Sequence, residues 1–373
     1  MAEVNTMEKK LAEYKCDTNE ALCMKLVRFP EDVEDDGTTF HPEYSHQLFG
    51  DDEVAFGYKG LQIQLFYTAG NLSTLFKVKY SSKVTEMFDC VESDDIEGKI
   101  REIVPAGFTC NTDDFISLLE KEANFKPFGT LLHTYTVHSE EAGELTYQIH
   151  KADITCPGFQ EYHERLQTFL MWFIETASFI DADDDRWDFF LVQMLILPPF
   201  QGEGHGAQLL EAVHRFYCSL PKVQDITAED PSENYVKLRD YVLVKLCQGM
   251  PSFAEDKLHL GFSPDMVKES QDKLKINKKH ARRVYEILRL RATDMSDEEK
   301  ARAYRLEVKK RLFGPYRKNQ RELAKMKKCL RPEELVSHMG QMDTQTQHEE
   351  LEKSYQVALE DYRRIIERLA SQA

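Results

Sequence analysis

The sequence predicts an α+β chain: an N-terminal mixed domain, a central mixed β-sheet flanked by helices, and a C-terminal helical region. Three observations carry that expectation. Alternating apolar residues on either side of a short turn mark a hairpin near residues 61–80. An apolar run, a glycine-rich turn, a helix, a strand and a helix follow one another over residues 187–246. From about Asp272 onward the apolar spacing is helical almost throughout. The expected boundaries are 1–125, 126–250 and 251–373.

The elements follow in order. Leu61, Ile63, Leu65 and Tyr67 alternate, Ala69-Gly70-Asn71 turns, and Thr74–Tyr80 returns as the second strand. Asp113–Glu122 reads as a short helix capped by Asn111 or Thr112, and Leu145–Ile154 as a further strand. Phe159–Phe179 is an amphipathic helix with Tyr162, Leu166, Phe169, Leu170 and Phe173 on one face. Trp187–Leu197 is a continuous apolar run broken by the turn Pro198–Gly206. Leu209, Leu210, Val213 and Tyr217 then share a helix face. Val223–Ala228 is the next strand, and Asp230-Pro231 opens a second helix carrying Tyr235, Leu238, Val242 and Leu246. Strand, turn, helix, strand and helix make a parallel crossover unit, right-handed by default. Farther on, Ser296-Asp-Glu-Glu299 reads as a capping box, Gly314-Pro315 interrupts the helical run and Pro332 opens another helix. Leu351, Tyr355, Ala358, Tyr362, Ile365 and Leu369 form an a/d seam, suited equally to a partner helix or to the chain's own core.

Composition excludes several classes. The 373 residues are 42% apolar and 11% aromatic, too rich in buried surface for a disordered chain and enough for two or three domains. The longest apolar stretches, such as Phe169–Ile174, fall well short of the ~18 residues of a membrane span. The opening residues lack the apolar centre of a secretion signal. No membrane partner is expected. The eight cysteines form no C-x-x-C pair and read as reduced packing residues, with no metal site expected.

Charge is divided along the chain. Residues 271–373 hold 25 Lys and Arg against 17 Asp and Glu, a net +8, so residues 1–270 carry −25 of the overall −17. The acidic side chains gather at Glu31–Asp36, Asp51–Glu53, Glu92–Glu97 and Asp181–Asp185. Such a field repels nucleic acid and draws cationic ligands. Each run also serves as a solvated loop, and the four together favour a basic partner.

Gly202, Gly204 and Gly206 stand at the mouth of a helix, where backbone N–H groups and the helix dipole suit an anion such as a pyrophosphate. No Gly-Lys-Ser/Thr follows, so this is not a P-loop. The spacing G-x-G-x-G departs from the dinucleotide fingerprint, for which Asp225 would be the ribose acid. Gln201-Gly-Glu-Gly-His-Gly206 meets the acetyltransferase pattern Gln/Arg-x-x-Gly-x-Gly/Ala in full. Glu229 follows at the end of the next expected strand, placed either to take a proton from an attacking amine or to supply charge to the helix after Pro231.

Over nearly its whole length the sequence resembles the histone acetyltransferase type B catalytic subunit family of the Gcn5-related N-acetyltransferase (GNAT) superfamily. The matching segments include Lys10–Cys16, Val27–Asp32, His46–Glu53, Phe128–His133, Tyr162–Ile180, Gln193–Ala207, Asp225–Leu246 and Arg282–Leu290. The resemblance implies a GNAT-type central sheet and transfer of acetyl from acetyl-CoA to lysines in the tail of free, newly made histone four. Met194, Leu195 and Ile196 would hold the pantetheine arm. Gln201, Gly202, Glu203, Gly204, His205, Gly206 and Ala207 would hold the pyrophosphate. Glu229 would be the general base, with Glu175 and Asp230 as neighbouring carboxylates. Asp51, Asp52, Glu53 and Trp187 would contact the basic tail. It further implies a WD-repeat histone chaperone partner and residence in nucleus and cytoplasm, with no direct nucleic-acid partner.

The chain departs from the family at one joint. Between Val192 and Gln193 the family pattern carries about three dozen further residues: the rest of one strand, a hairpin and the approach to the next. Their loss leaves two expectations, an active lysine acetyltransferase or a catalytically weak relative that binds partners through its acidic face and helical tail. An acetyltransferase for small amines is a third, disfavoured by the extent of the match.

Overall fold

A computed structural model describes residues 2–88, 90–139, 143–175, 194–228, 231–329 and 344–371. The fold is mixed α+β, β-rich in its N-terminal part and helical in its C-terminal part. The described residues form two compact units. One holds those up to residue 175 together with Leu195–His205; the other holds Met194 and those from Gly206 on.

In the first unit, helix α1 (Ala2–Ala12) precedes β1 (Lys15–Asp17), the single turn α2 (Thr18–Ala21) and β2 (Leu22–Val27). The single turn α3 (His46–Phe49) and the short strands β3 (Val54–Phe56) and β4 (Tyr58–Lys59) lead to β5 (Gln62–Thr68) and β6 (Thr74–Lys79). β5 and β6 pair antiparallel as the alternation predicts, and β2 joins β5 in parallel, giving the order β2-β5-β6. β7 (Ser82–Lys83) pairs with β4, and β1 with β3.

Period-two alternation divides this sheet's side chains between two small cores. Ile63, Leu65 and Tyr67 face a cluster with Phe169, Trp172 and Phe173, while Phe66 and Leu75 pack with Val33 and Phe115. Helix α4 (Ile96–Ile103) adds Ile96 and Ile100 to the first. Helix α5 (Thr112–Lys121) adds Phe115 to the second, and its cap is Asn111, which accepts from the Asp113 and Asp114 amides at 2.7 and 3.4 Å.

β8 (Thr130–Ser139) and β9 (Gly143–Lys151) form an antiparallel ribbon. A strand is expected over 145–154, and β8 is an element that the sequence pattern does not predict. Among the described residues the ribbon pairs with no third strand, and Ile149 is its one buried side chain. Helix α6 (Phe159–Phe173) follows Gly158, whose φ of 78° suits glycine. It ends at Ile174 in extended backbone rather than running on, and residues 176–179 of the expected helix lie outside the described residues. The Glu43 and Tyr44 amides satisfy the Trp172 carbonyl at the helix end. Leu166, expected on the buried face, is 39% exposed, while Met171 and Trp172 are buried.

The second unit contains α7 (His205–Cys218, from Gly206 on), α8 (Glu233–Cys247), the short α9 (Glu255–Leu258), α10 (Pro264–Leu274), α11 (Lys278–Ala292), α12 (Glu298–Leu312), α13 (Gly314–Cys329) and a last helix, Thr344–Ser371. Its core joins Tyr241–Val244 of α8, Val284–Leu288 of α11, and Tyr355, Leu359, Tyr362 and Ile365 of the last helix. The a/d seam therefore packs on its own unit. Glu286, 1% exposed, accepts from Arg282, Arg311 and the Tyr362 hydroxyl. Asp240, 2% exposed, is paired with Arg239 and Arg283.

Several expectations are corrected. Of the strand expected over Val223–Ala228, only Ala228 makes a β-bridge and Val223–Thr227 carries no ladder; the Ile226 amide donates instead to the Lys275 carbonyl at 3.1 Å. Residues 194–197 carry no ladder either. Ser232, not Asp230-Pro231, caps α8, its hydroxyl accepting from the Tyr235 amide at 3.2 Å. Asp297, not Ser296, caps α12, because the Ser296 hydroxyl donates to Asp294. Gly314-Pro315 opens α13 one residue after α12 ends, and the helix expected at Pro332 lies outside the described residues. Cys90 and Cys110 are exposed rather than packed, and Cys247 is buried, its thiol pushed up to about 12 by burial.

Candidate functional site

The glycine turn is built by its backbone. Pro198–Phe200 forms a single 3-10 turn in which the Phe200 amide donates to the Leu197 carbonyl at 2.9 Å and the Gln201 amide to the Pro198 carbonyl at 3.2 Å. Gly202 at φ 84° and Gly204 at φ 91° then reverse the chain into α7. Side chains rarely adopt this conformation. A Cβ built on Gly202 would meet nothing within 4 Å. The requirement for glycine at 202 is therefore conformational, and the space beside its Cα is open. Gln201 is spent internally, its Nε2 donating to the Ile196 carbonyl at 2.9 Å.

The other residues expected at the coenzyme behave differently. Met194, Leu195 and Ile196 are half-buried; Leu195 packs on the first unit's core and Met194 on the second's. Ala207 is half-buried against the second unit's core. The Glu203 carboxylate is half exposed and reaches His205 Nε2 at 3.0 Å. His205 itself is 6% exposed, and its Nδ1 lies 2.8 Å from the Tyr135 hydroxyl.

Among the acidic candidates, Asp51 and Asp52 are exposed, as a tail-binding role requires. Glu53 is turned inward from a backbone at φ 51°. Its carboxylate accepts from the Ser45 amide at 2.7 Å, the Asn19 side chain at 2.7 Å and the His46 amide at 3.1 Å. The Ser45 N–H, then Asn19 and His46, hold it below the usual carboxylate range. Glu175 is exposed, and its backbone carbonyl faces His46 Nε2 at 3.0 Å. Glu229, Asp230 and Trp187 lie outside the described residues. Among the described residues no helix is long and apolar enough to cross a membrane.

Tyr135, Tyr147 and His46 belong to no motif that marks a functional role in the sequence. The alternation Leu131, His133, Tyr135, Val137 was the available signal for the first.

Known proteins of similar sequence are acetyltransferases. The family described as "Histone acetyl transferase HAT1 N-terminus" matches residues 14–175, and that described as "Histone acetyltransferase type B catalytic subunit, C-terminal" matches residues 239–290. The mouse histone acetyltransferase type B catalytic subunit is 64% identical over 404 residues, covering 99% of this chain and 97% of that protein. The human protein of the same name is 63% identical, covering 99% and 96%. The one from Kluyveromyces lactis is 27% identical, covering 95% and 92%. The chain belongs to the histone acetyltransferase type B catalytic subunit family, whose members are lysine acetyltransferases. An alignment of 404 residues over 99% of a 373-residue chain also means that about three dozen residues of the mouse protein have no counterpart here.

Proposed function

We propose that this chain transfers acetyl from acetyl-CoA to lysine side chains in the N-terminal tail of free, newly synthesised histone four. The observation that carries the reading is the turn Gln201–His205, with two glycines at positive φ and nothing within 4 Å of a Cβ built on Gly202, opening into α7. Backbone N–H groups at such a turn suit the diphosphate of the coenzyme. Gly202, Glu203, Gly204, Gly206 and Ala207 form that seat, with Gln201 bracing it through its bonds to Pro198 and Ile196, and Met194–Ile196 supplies backbone for the pantetheine arm. In this reading the central part of the chain belongs to a GNAT-type mixed sheet.

A lysine ammonium has an ordinary pKa near 10.4 and must lose a proton before it attacks. Glu229 takes that proton, directly or through one water, with Glu175 and Asp230 as neighbouring carboxylates to share it. The amine nitrogen bonds to the thioester carbonyl carbon, the C–S bond breaks, and coenzyme A leaves as the thiol once its sulfur is protonated. Asp51 and Asp52 offer carboxylates to the basic tail, with Trp187 beside it; Glu53, expected as a third contact, holds the loop that presents them. Association with a WD-repeat histone chaperone, and residence in nucleus and cytoplasm, belong to the same reading.

A second reading has its own observation. The ribbon β8–β9 has no third strand among the described residues, and about three dozen residues of the mouse relative have no counterpart in this chain. On that basis the chain binds histone or chaperone but transfers acetyl weakly. Mass spectrometry of a histone-four tail peptide after incubation with acetyl-CoA separates the two. Acetylation lost in Glu229→Gln supports the enzyme; a peptide that binds but gains no acetyl group supports the second reading.

A further inference from the structure

The geometry points to His205 as a positioning residue: its ring, clasped by Tyr135, Tyr147 and Glu203, fixes the glycine turn in the conformation that receives the coenzyme diphosphate. The inference rests on the reading of that turn given above, but assigns the imidazole a different task from contact with coenzyme.

The ring sits among side chains. It is 6% exposed. The Tyr147 ring lies 4.3 Å away between centroids, with those of Tyr135 at 5.8 Å and Phe200 at 6.2 Å. Both nitrogens are engaged, and the partners decide the tautomer. Glu203 is a carboxylate and only accepts, so the proton sits on Nε2 and donates across 3.0 Å. Nδ1 is then an acceptor, and the Tyr135 hydroxyl donates to it across 2.8 Å. Burial, and then Tyr147, raise the Tyr135 hydroxyl above its ordinary pKa, so it keeps the proton it donates.

This chain of bonds spans the turn. Glu203 lies between Gly202 and Gly204, the two residues at positive φ, and His205 follows them. Fixing the side chains at 203 and 205 restrains the backbone that the glycines leave loose. The ribbon β8–β9 supplies the fixed points, since Tyr135 and Tyr147 are register partners across it and their rings stack at 5.5 Å. The ribbon thus acts as a buttress for the turn.

Two measurements on the full chain test this, each with Tyr135→Phe, His205→Ala and, as a control, His138→Ala at the exposed far end of β8. In amide hydrogen exchange, Phe200 and Gln201 should exchange at least fivefold faster in the first two variants, with global melting little changed in Tyr135→Phe. In calorimetric titration with acetyl-CoA the same two variants should bind at least fivefold more weakly, and in Tyr135→Phe kcat at saturating coenzyme should be unchanged. Exchange that is unchanged overturns the positioning role, whether or not the chain binds coenzyme. Faster exchange with coenzyme affinity equal to the wild type overturns the link to the coenzyme. Faster exchange in a protein whose wild type binds no acetyl-CoA leaves the buttress standing and removes the diphosphate reading instead.

Discussion

His46 Nε2 stands 3.0 Å from the backbone carbonyl oxygen of Glu175, 129 residues away in sequence. A carbonyl only accepts, so His46 carries its proton on Nε2 and donates. The His46 amide meanwhile donates to Glu53, and the Glu43 and Tyr44 amides to the Trp172 carbonyl. Segment 43–53, which ends in the Asp51–Glu53 run, is thereby tied to the last turn of α6.

His46→Ala should loosen that tie at a cost of about 1 kcal/mol, the usual net worth of one hydrogen bond. His46→Gln, whose amide donor occupies a similar position, should recover most of it. Urea unfolding of the two variants checks the ordering; equal loss in both would deny the bond a role.

Glu53→Gln should destabilise more than Asp51→Asn or Asp52→Asn, because only Glu53 is held by three N–H donors. Charge-assisted bonds of this kind are worth about 1.5–3 kcal/mol each at most. If the exposed pair binds a basic peptide, Asp51→Asn and Asp52→Asn should raise KM for the tail several-fold with melting unchanged. A melting shift in those two variants would contradict the division of roles.

Glu286→Ala should cost about 3–5 kcal/mol, since it leaves Arg282 and Arg311 without their buried carboxylate. Pairing it with Arg311→Met should recover part of that loss. Thermal unfolding of the single and double variants measures the coupling.

Acid sensitivity should trace in part to Glu269. Its carboxylate accepts from Lys273 at 2.7 Å and the Ser252 amide at 2.9 Å, which hold it down to about 2. A carboxyl depressed by folding stabilises above its unfolded pKa, about 4.3, and that contribution is lost as pH falls toward the folded value. Urea midpoints between about pH 5 and pH 2 should therefore fall less steeply in Glu269→Gln than in the wild type.

What was legible in the sequence was local. The β5–β6 hairpin and α5 announce themselves because alternation, a turn and an Asn cap act within a few residues. Val223–Thr227 shows the limit: the β-branched Val223, Ile226 and Thr227 suit a strand, but a strand exists only with a partner, and the Ile226 amide goes to Lys275 instead. β8 was hidden because both faces of the ribbon are largely open, so period two brings little burial to read. Which of several neighbouring polar residues caps a helix, Ser232 or Asp230, depends on reach that a sequence does not show. The glycine turn was legible by its motif, whereas the Tyr135–His205 bond joins residues 70 apart and no spacing rule pairs them.

Gly202→Ala should cost about 1–2 kcal/mol through its positive φ alone, since nothing crowds the new methyl group. That strain falls on the very backbone proposed to hold the coenzyme. Calorimetric titration of acetyl-CoA into the wild type and into Gly202→Ala is therefore the most direct measurement. One site in the wild type and binding at least tenfold weaker in the variant are expected. A wild-type chain that melts cooperatively yet gives no binding heat, or a variant that binds as tightly, would contradict this expectation.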